Sequence, residues 1–241
     1  MLAGISREDC YRCLVRWHVI PDMGTLIDDV SLRIYCAARQ AIARQGRFSI
    51  VLAGGKTPQA VYRVLASSDA DWSSWHIYFG DERCLPSDHP ERNSVMAAQC
   101  WLDHVQIPAH NVHVIPAELG PVAAARHYSE VIRHARPFDM VLLGMGEDGH
   151  TASLFPGLDY AAGETVHAVM NAPKPPSERV SLSKAVLNDS CMVVAMVTGA
   201  SKRSAVRRWR QCEELPIADI HGRCGIDVFL DPAAAGDLHE Y

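Results

Sequence analysis

Asp148 and His150 stand two residues apart in a glycine-rich bend, Gly144-Met145-Gly146-Glu147-Asp148-Gly149-His150. A carboxylate beside an imidazole can move protons. Imidazole titrates near neutral pH, and a positioned general base speeds a chemical step by ~10²–10⁴-fold. The competing reading is a structural histidine tied to a backbone carbonyl, and spacing alone leaves both open. The same run fits the glycine pattern G-x-G-x-x-G, but a dinucleotide fold needs a long crossover helix behind it. Pro156-Gly157 arrives within about two helical turns, so no NAD or FAD is expected. The nucleophile elbow G-x-S-x-G is not matched either, so the signature of a serine hydrolase is lacking.

Other segments carry groups suited to an anion. In Gly54-Gly55-Lys56-Thr57-Pro58 two glycines let backbone N–H groups approach a ligand, and a helix start behind them favours negative charge. Lys56 adds a cation and Thr57 a hydroxyl or an N-cap. A nucleotide P-loop would need glycine where Ile50 stands, which leaves an anion cradle or a plain strand-to-helix turn. Asp81-Glu82-Arg83 follows an apolar run, and strand alternation sends Asp81 and Arg83 to one side and Glu82 to the other. Arg83 could grip an oxyanion through its planar fork, unless the three charges form a solvated turn. Arg179 follows the stiff Pro175-Pro176, and Lys202 follows Gly199 at a helix start. The chain has only four lysines (Lys56, Lys174, Lys184 and Lys202), and two of them fall in strand-end glycine loops.

Metal chemistry finds no matching pattern. Among twelve histidines, His104, His110, His113, His127 and His134 make no H-E-x-x-H pair, so no metal is expected. Eight cysteines are scattered, with a single C-x-x-C at Cys10 and Cys13. Arg7, Glu8 and Asp9 stand where an export signal needs an apolar core, so a cytoplasmic chain with reduced thiols is expected.

These groups need a scaffold, and the chain alternates buried apolar runs with amphipathic stretches. Strands are predicted at 17–20, 48–53, 75–80, 112–115, 138–144, 191–198 and 226–230. Helices are predicted at 25–45 (closed by Gly46), 58–66, 93–105, 122–135 and 202–213. Residues 171–183 read as a Pro-rich loop with short extended pieces. The pattern implies an α/β fold, a mostly parallel doubly wound sheet with flanking helices, in one domain covering 1–241, with residues 1–15 unplaced. Ligands bind such sheets beyond the carboxyl ends of the strands, where the loops above fall. The 241 residues carry 23 Lys and Arg against 28 Asp and Glu, a net charge of −5, which argues against nucleic acid or an anionic membrane as partner. No apolar stretch is long enough to span a bilayer. A monomer or small homo-oligomer is expected.

In order along the chain, Ala53-Gly54-Gly55-Lys56-Thr57-Pro58, Gly80-Asp81-Glu82-Arg83, Glu91-Arg92-Asn93-Ser94, the run GMGEDGHTASLFP at 144–156, Pro175-Pro176-Ser177-Glu178-Arg179, Thr198-Gly199-Ala200-Ser201-Lys202 and Asp231-Pro232-Ala233-Ala234 resemble the 6-phosphogluconolactonases, which share a larger group with the glucosamine-6-phosphate deaminases. The resemblance implies a pentose-phosphate enzyme that hydrolyses a small-molecule sugar-phosphate lactone, 6-phospho-D-glucono-1,5-lactone, without cofactor or metal. It makes His150 the general base, with Asp148 positioning it and Arg83 at the site. Gly54, Gly55, Lys56, Thr57, Arg179 and Lys202 would hold the phosphate or sugar hydroxyls. Lys56 departs from the small residue more usual at that position. The deaminases follow Asp-Gly-His with a segment carrying Asn-Glu, whereas here no carboxylate follows His150 before Asp159. A non-catalytic sugar-phosphate sensor would be marked by a lost base or a DNA-binding appendage, and neither is seen.

Overall fold

The structure, a computed structural model, describes residues 14–236; Cys10 and Cys13 lie outside them. The first strand, β1 (Val15–Val19), leads into α1 (Met23–Gln45). Asp22 caps this helix by accepting from the Thr25 N–H at 2.9 Å. Gly46, with φ +75°, closes it through an N–H to the Ile42 carbonyl. There follow β2 (Phe48–Leu52), α2 (Lys56–Ala66), β3 (Trp75–Phe79), β4 (Asp81–Arg83), α3 (Asn93–Cys100), α4 (Pro121–Arg133) and β5 (Phe138–Gly144). The rest of the chain forms β6 (Val166–Val169), β7 (Arg179–Leu182), α5 (Lys184–Asn188), β8 (Ser190–Val197), α6 (Arg203–Arg210), β9 (Ile226–Leu230) and α7 (Pro232–Ala235).

Six strands form one sheet in the order β1-β9-β8-β5-β2-β3, and every pairing in it is parallel. Strands β2 and β9 are buried along their whole length, as continuous apolar runs covered on both faces require. From β2 the chain winds outward to β3, then returns to β5 on the other side of β2 and continues to β8 and β9. The winding direction therefore reverses between β2 and β5, and the two glycine loops that follow these strands flank that switch point. Among the described residues no helix is long and apolar enough to cross a membrane. The six described cysteines are free thiols.

A second, antiparallel sheet of order β4-β7-β6 stands beside the first and was not anticipated as a unit. Three local expectations also need correction. Residues 112–115 make one bridge, Val112 to Ile77, rather than a strand, because Pro116 ends the run without an N–H to offer. Helix α2 begins at Lys56 with Gly55 as N-cap, so Thr57 lies inside the first turn and is not the cap. The helix expected at 93–105 stops at Cys100, where the backbone of the fully buried Trp101 leaves helical geometry and a 3₁₀ turn follows.

Candidate active site

Strand β5 ends at Gly144 and the chain turns sharply through Gly146 and Gly149, closed by Gly146 N–H to the His150 carbonyl at 2.8 Å. This turn folds His150 back onto Asp148. The ring Nδ1 lies 2.5 Å from Asp148 Oδ1, and the same oxygen accepts from the His150 backbone N–H at 3.2 Å. A Cβ on Gly146 would stand 2.0 Å from His150 Nδ1, so only glycine admits the ring there. Phe155 packs on the imidazole with ring centroids 4.6 Å apart. With Nδ1–H given to the carboxylate, Nε2 keeps its lone pair and can take a proton.

Burial pushes the His150 pKa below its ordinary value, outweighing the nearby Asp148 charge that pulls it up. Asp148 is itself desolvated, yet the hydrogen bonds from His150 hold its carboxyl below the usual range. A base that must be neutral to act loses rate as pH falls through its pKa. The acid limb of activity is therefore expected below pH ~6.5, the ordinary imidazole value. A pH–rate profile of kcat/KM checks this, and a limb above that value would contradict it.

His150 opens onto a cavity of about 360 Å³ at the carboxyl ends of β2 and β5, lined also by Gly54, Gly55, Arg83, Arg179 and Lys202. The two arginines meet through the small sheet, whose register pairs Arg83 with Arg179 across β4 and β7. Arg179 is buried and turns its guanidinium to the carbonyls of Lys174, Pro175 and Pro176 at 3.2, 2.8 and 3.0 Å. Its pKa is lowered, first by burial and then by Arg83, with Asp81 acting in opposition. Arg83 donates to the Glu91 carbonyl, while its buried Nε has no partner among the described residues. Two adjacent guanidinium groups with an unpaired N–H suit an oxyanion or phosphate.

Of the nine residues expected at a site, His150, Arg83, Gly54, Gly55, Arg179 and Lys202 line this cavity, and Asp148 touches His150 from behind. Lys56 lines a neighbouring hollow of about 260 Å³ that shares Gly55, Arg83 and Asn93 with the main cavity. Thr57 is directed elsewhere: its Oγ1 lies 2.7 Å from Thr198 Oγ1, tying α2 to the loop after β8. The sequence reading did not single out Asn93 as a site residue. Its side chain donates to the Asp81 carbonyl and to Oδ1 at 3.0 and 3.1 Å, and Ser153 donates to Asp81 Oδ2 at 2.6 Å. Asp81 thus enters the cavity as a carboxylate held by donors on two sides. The close approach is visible at Gly54, where a Cβ would lie 2.0 Å from Asn93 Oδ1. Glycine in the first loop was the available signal, but its partner 39 residues on could not be named from it.

The family model described as glucosamine-6-phosphate isomerases/6-phosphogluconolactonase matches residues 21–228. A 6-phosphogluconolactonase of Nostoc sp. is 36% identical over 197 residues, covering 78% of this chain and 82% of that protein. One of Mycobacterium leprae is 38% identical over 205 residues, covering 78% and 83%. Among solved structures, the 6-phosphogluconolactonase of Thermotoga maritima superposes with a TM-score of 0.85 at 28% identity, covering 90% of this chain and 99% of that one. The chain belongs to the glucosamine-6-phosphate isomerase/6-phosphogluconolactonase family.

Proposed function

We propose that this chain hydrolyses 6-phospho-D-glucono-1,5-lactone to 6-phospho-D-gluconate, with His150 as general base and Asp148 as its positioning residue. The observation that carries the mechanism is the contact of His150 and Asp148 at the wall of a cavity whose other cations can take a phosphate. The substrate is that of the relatives named above. Water on Nε2 gives its proton to His150 as its oxygen attacks the lactone carbonyl carbon. The carbonyl oxygen gains negative charge, which the guanidinium group of Arg83 favours electrostatically. Collapse of this intermediate breaks the bond to the ring oxygen, and the His150 imidazolium returns the proton to that leaving oxygen. Gly54, Gly55, Arg179 and Lys202 hold the phosphate end, with Lys56 at its margin. The chain works as one α/β unit in the cytoplasm, in keeping with the six free thiols among the described residues.

The test uses purified protein and freshly prepared lactone. Loss of lactone well above the spontaneous rate is expected, with no release of ammonia from glucosamine-6-phosphate. The opposite pattern would move the chain to the deaminase branch of the family, and binding of either sugar phosphate without turnover would make it a sensor.

A further inference from the structure

Not every cation of the cavity is free to meet a ligand. Glu147, in the turn that carries His150, sits between two lysines. Its Oε1 accepts from Lys174 Nζ at 2.6 Å, and its Oε2 lies 3.5 Å from Lys202 Nζ. All three residues line the cavity. Lys174 comes from the Pro-rich loop before β7, and Arg179 binds the carbonyls of that loop, including that of Lys174 itself. Two separate loops, both reaching the same cavity, are therefore joined through one carboxylate. The Lys174 hydrogen bond, more than any other contact, holds the Glu147 pKa down to about 2, so the carboxylate stays charged.

A half-exposed ion pair such as this is weak and readily exchanged. A phosphate dianion offers more charge and three strong acceptor oxygens, so it outcompetes one carboxylate for an ammonium group. A neutral sugar cannot.

We propose that Lys174 is a specificity-determining residue for the substrate phosphate, and that Glu147 is the internal anion which Lys174 and Lys202 leave when phosphate arrives. The phosphorylated lactone then draws the Lys174 loop toward the cavity, and an unphosphorylated lactone leaves Lys174 on Glu147. The choice of substrate rests on the lactonase reading, but the exchange itself can be measured without turnover.

Isothermal titration of inorganic phosphate into the full chain tests it. Lys174→Ala is expected to weaken phosphate binding about tenfold, the loss of one charge-assisted contact. Glu147→Gln, which removes the internal competitor, is expected to tighten it by roughly the same factor. In steady state Lys174→Ala raises KM for the phosphorylated lactone about tenfold, with a much smaller change in kcat, and leaves KM for unphosphorylated glucono-1,5-lactone within about twofold. A further readout separates contact from loop structure. Lys174 pushes the His150 imidazole down, so Lys174→Ala moves the acid limb of the pH–rate profile to higher pH. Unchanged phosphate affinity in both variants, or equal KM losses on both lactones, overturns the proposal. The expected phosphate pattern in a protein that fails to hydrolyse the lactone would uphold this exchange and remove the lactonase reading instead.

Discussion

His150→Ala is expected to lower kcat by ~10²–10⁴-fold while KM for the phosphorylated lactone changes by much less. The size follows from what the ring does. In the proposed mechanism it takes a proton from water during attack and gives it to the leaving ring oxygen, so its loss removes proton transfer in both halves of the reaction. The cations proposed to hold the phosphate, Arg179 and Lys202, line the cavity from other elements, and the alanine variant keeps them. His150→Gln, which keeps a polar side chain of similar reach but no basic nitrogen, is expected to fall as far as alanine. Asp148→Asn should fall less. An amide oxygen can still accept from Nδ1–H, but the charge that favours the imidazolium is gone, so its acid limb moves to lower pH. Stopped-assay kinetics on fresh lactone, corrected for spontaneous hydrolysis, decide the matter. Wild-type kcat in His150→Ala would remove the proposed base.

Much of this site is legible in the sequence because its loops follow buried parallel strands. A run such as 48–52 or 138–143 must be covered on both faces, and the glycines behind it mark where backbone turns at the carboxyl edge. The bend of Asp148 and His150 is local in sequence, so spacing could name the two as a candidate proton-transfer pair, while the general-base role was implied only by the family resemblance. What could not be read is long-range register. Arg83 and Arg179 are 96 residues apart, and only the pairing of β4 with β7 sets them side by side. The segment of β4 also read as a charged turn open to solvent, whereas Asp81 and Glu82 are buried. The N-cap expected at Thr57 is displaced for a different reason. A helix can start two residues earlier at no cost in pattern, and Thr57, now inside the first turn, lies against Thr198. The contact of Glu147 with Lys174 joins two loops 27 residues apart, and no periodicity encodes it.

Glu82→Ala is expected to destabilise the folded chain by about 3–5 kcal/mol, the cost of breaking a buried ion pair on one side. Glu82 is fully buried on β4, on the side opposite Asp81 and Arg83. Its Oε1 accepts from the Asn93 and Arg83 backbone N–H groups at 2.7 and 2.9 Å, and its Oε2 accepts from the Ser94 N–H at 2.8 Å. Asn93 and Ser94 open α3, and Arg92 before them makes no side-chain cap, so a carboxylate from a distant strand does the capping. The buried Arg92 lies 3.5 Å from the same Oε2, so alanine takes a carboxylate neighbour from this cation, which keeps Glu118, and leaves three donors unpaired. For a chain of this size the loss corresponds to a fall in Tm of roughly 6–20 °C. Glu118→Ala is the control. Glu118 also pairs with Arg92, at 2.8 Å, but from a more exposed position, and its removal should cost about 1 kcal/mol or less. A Glu82→Ala protein that melts within a degree or two of wild type would show that the carboxylate does not hold α3 in place. The site is coupled to this cap, because the side chain of Asn93 is one of the two that hold Asp81 in the cavity wall. In variant protein still folded at low temperature, kcat/KM should fall as well, whereas Glu118→Ala should leave it near wild type.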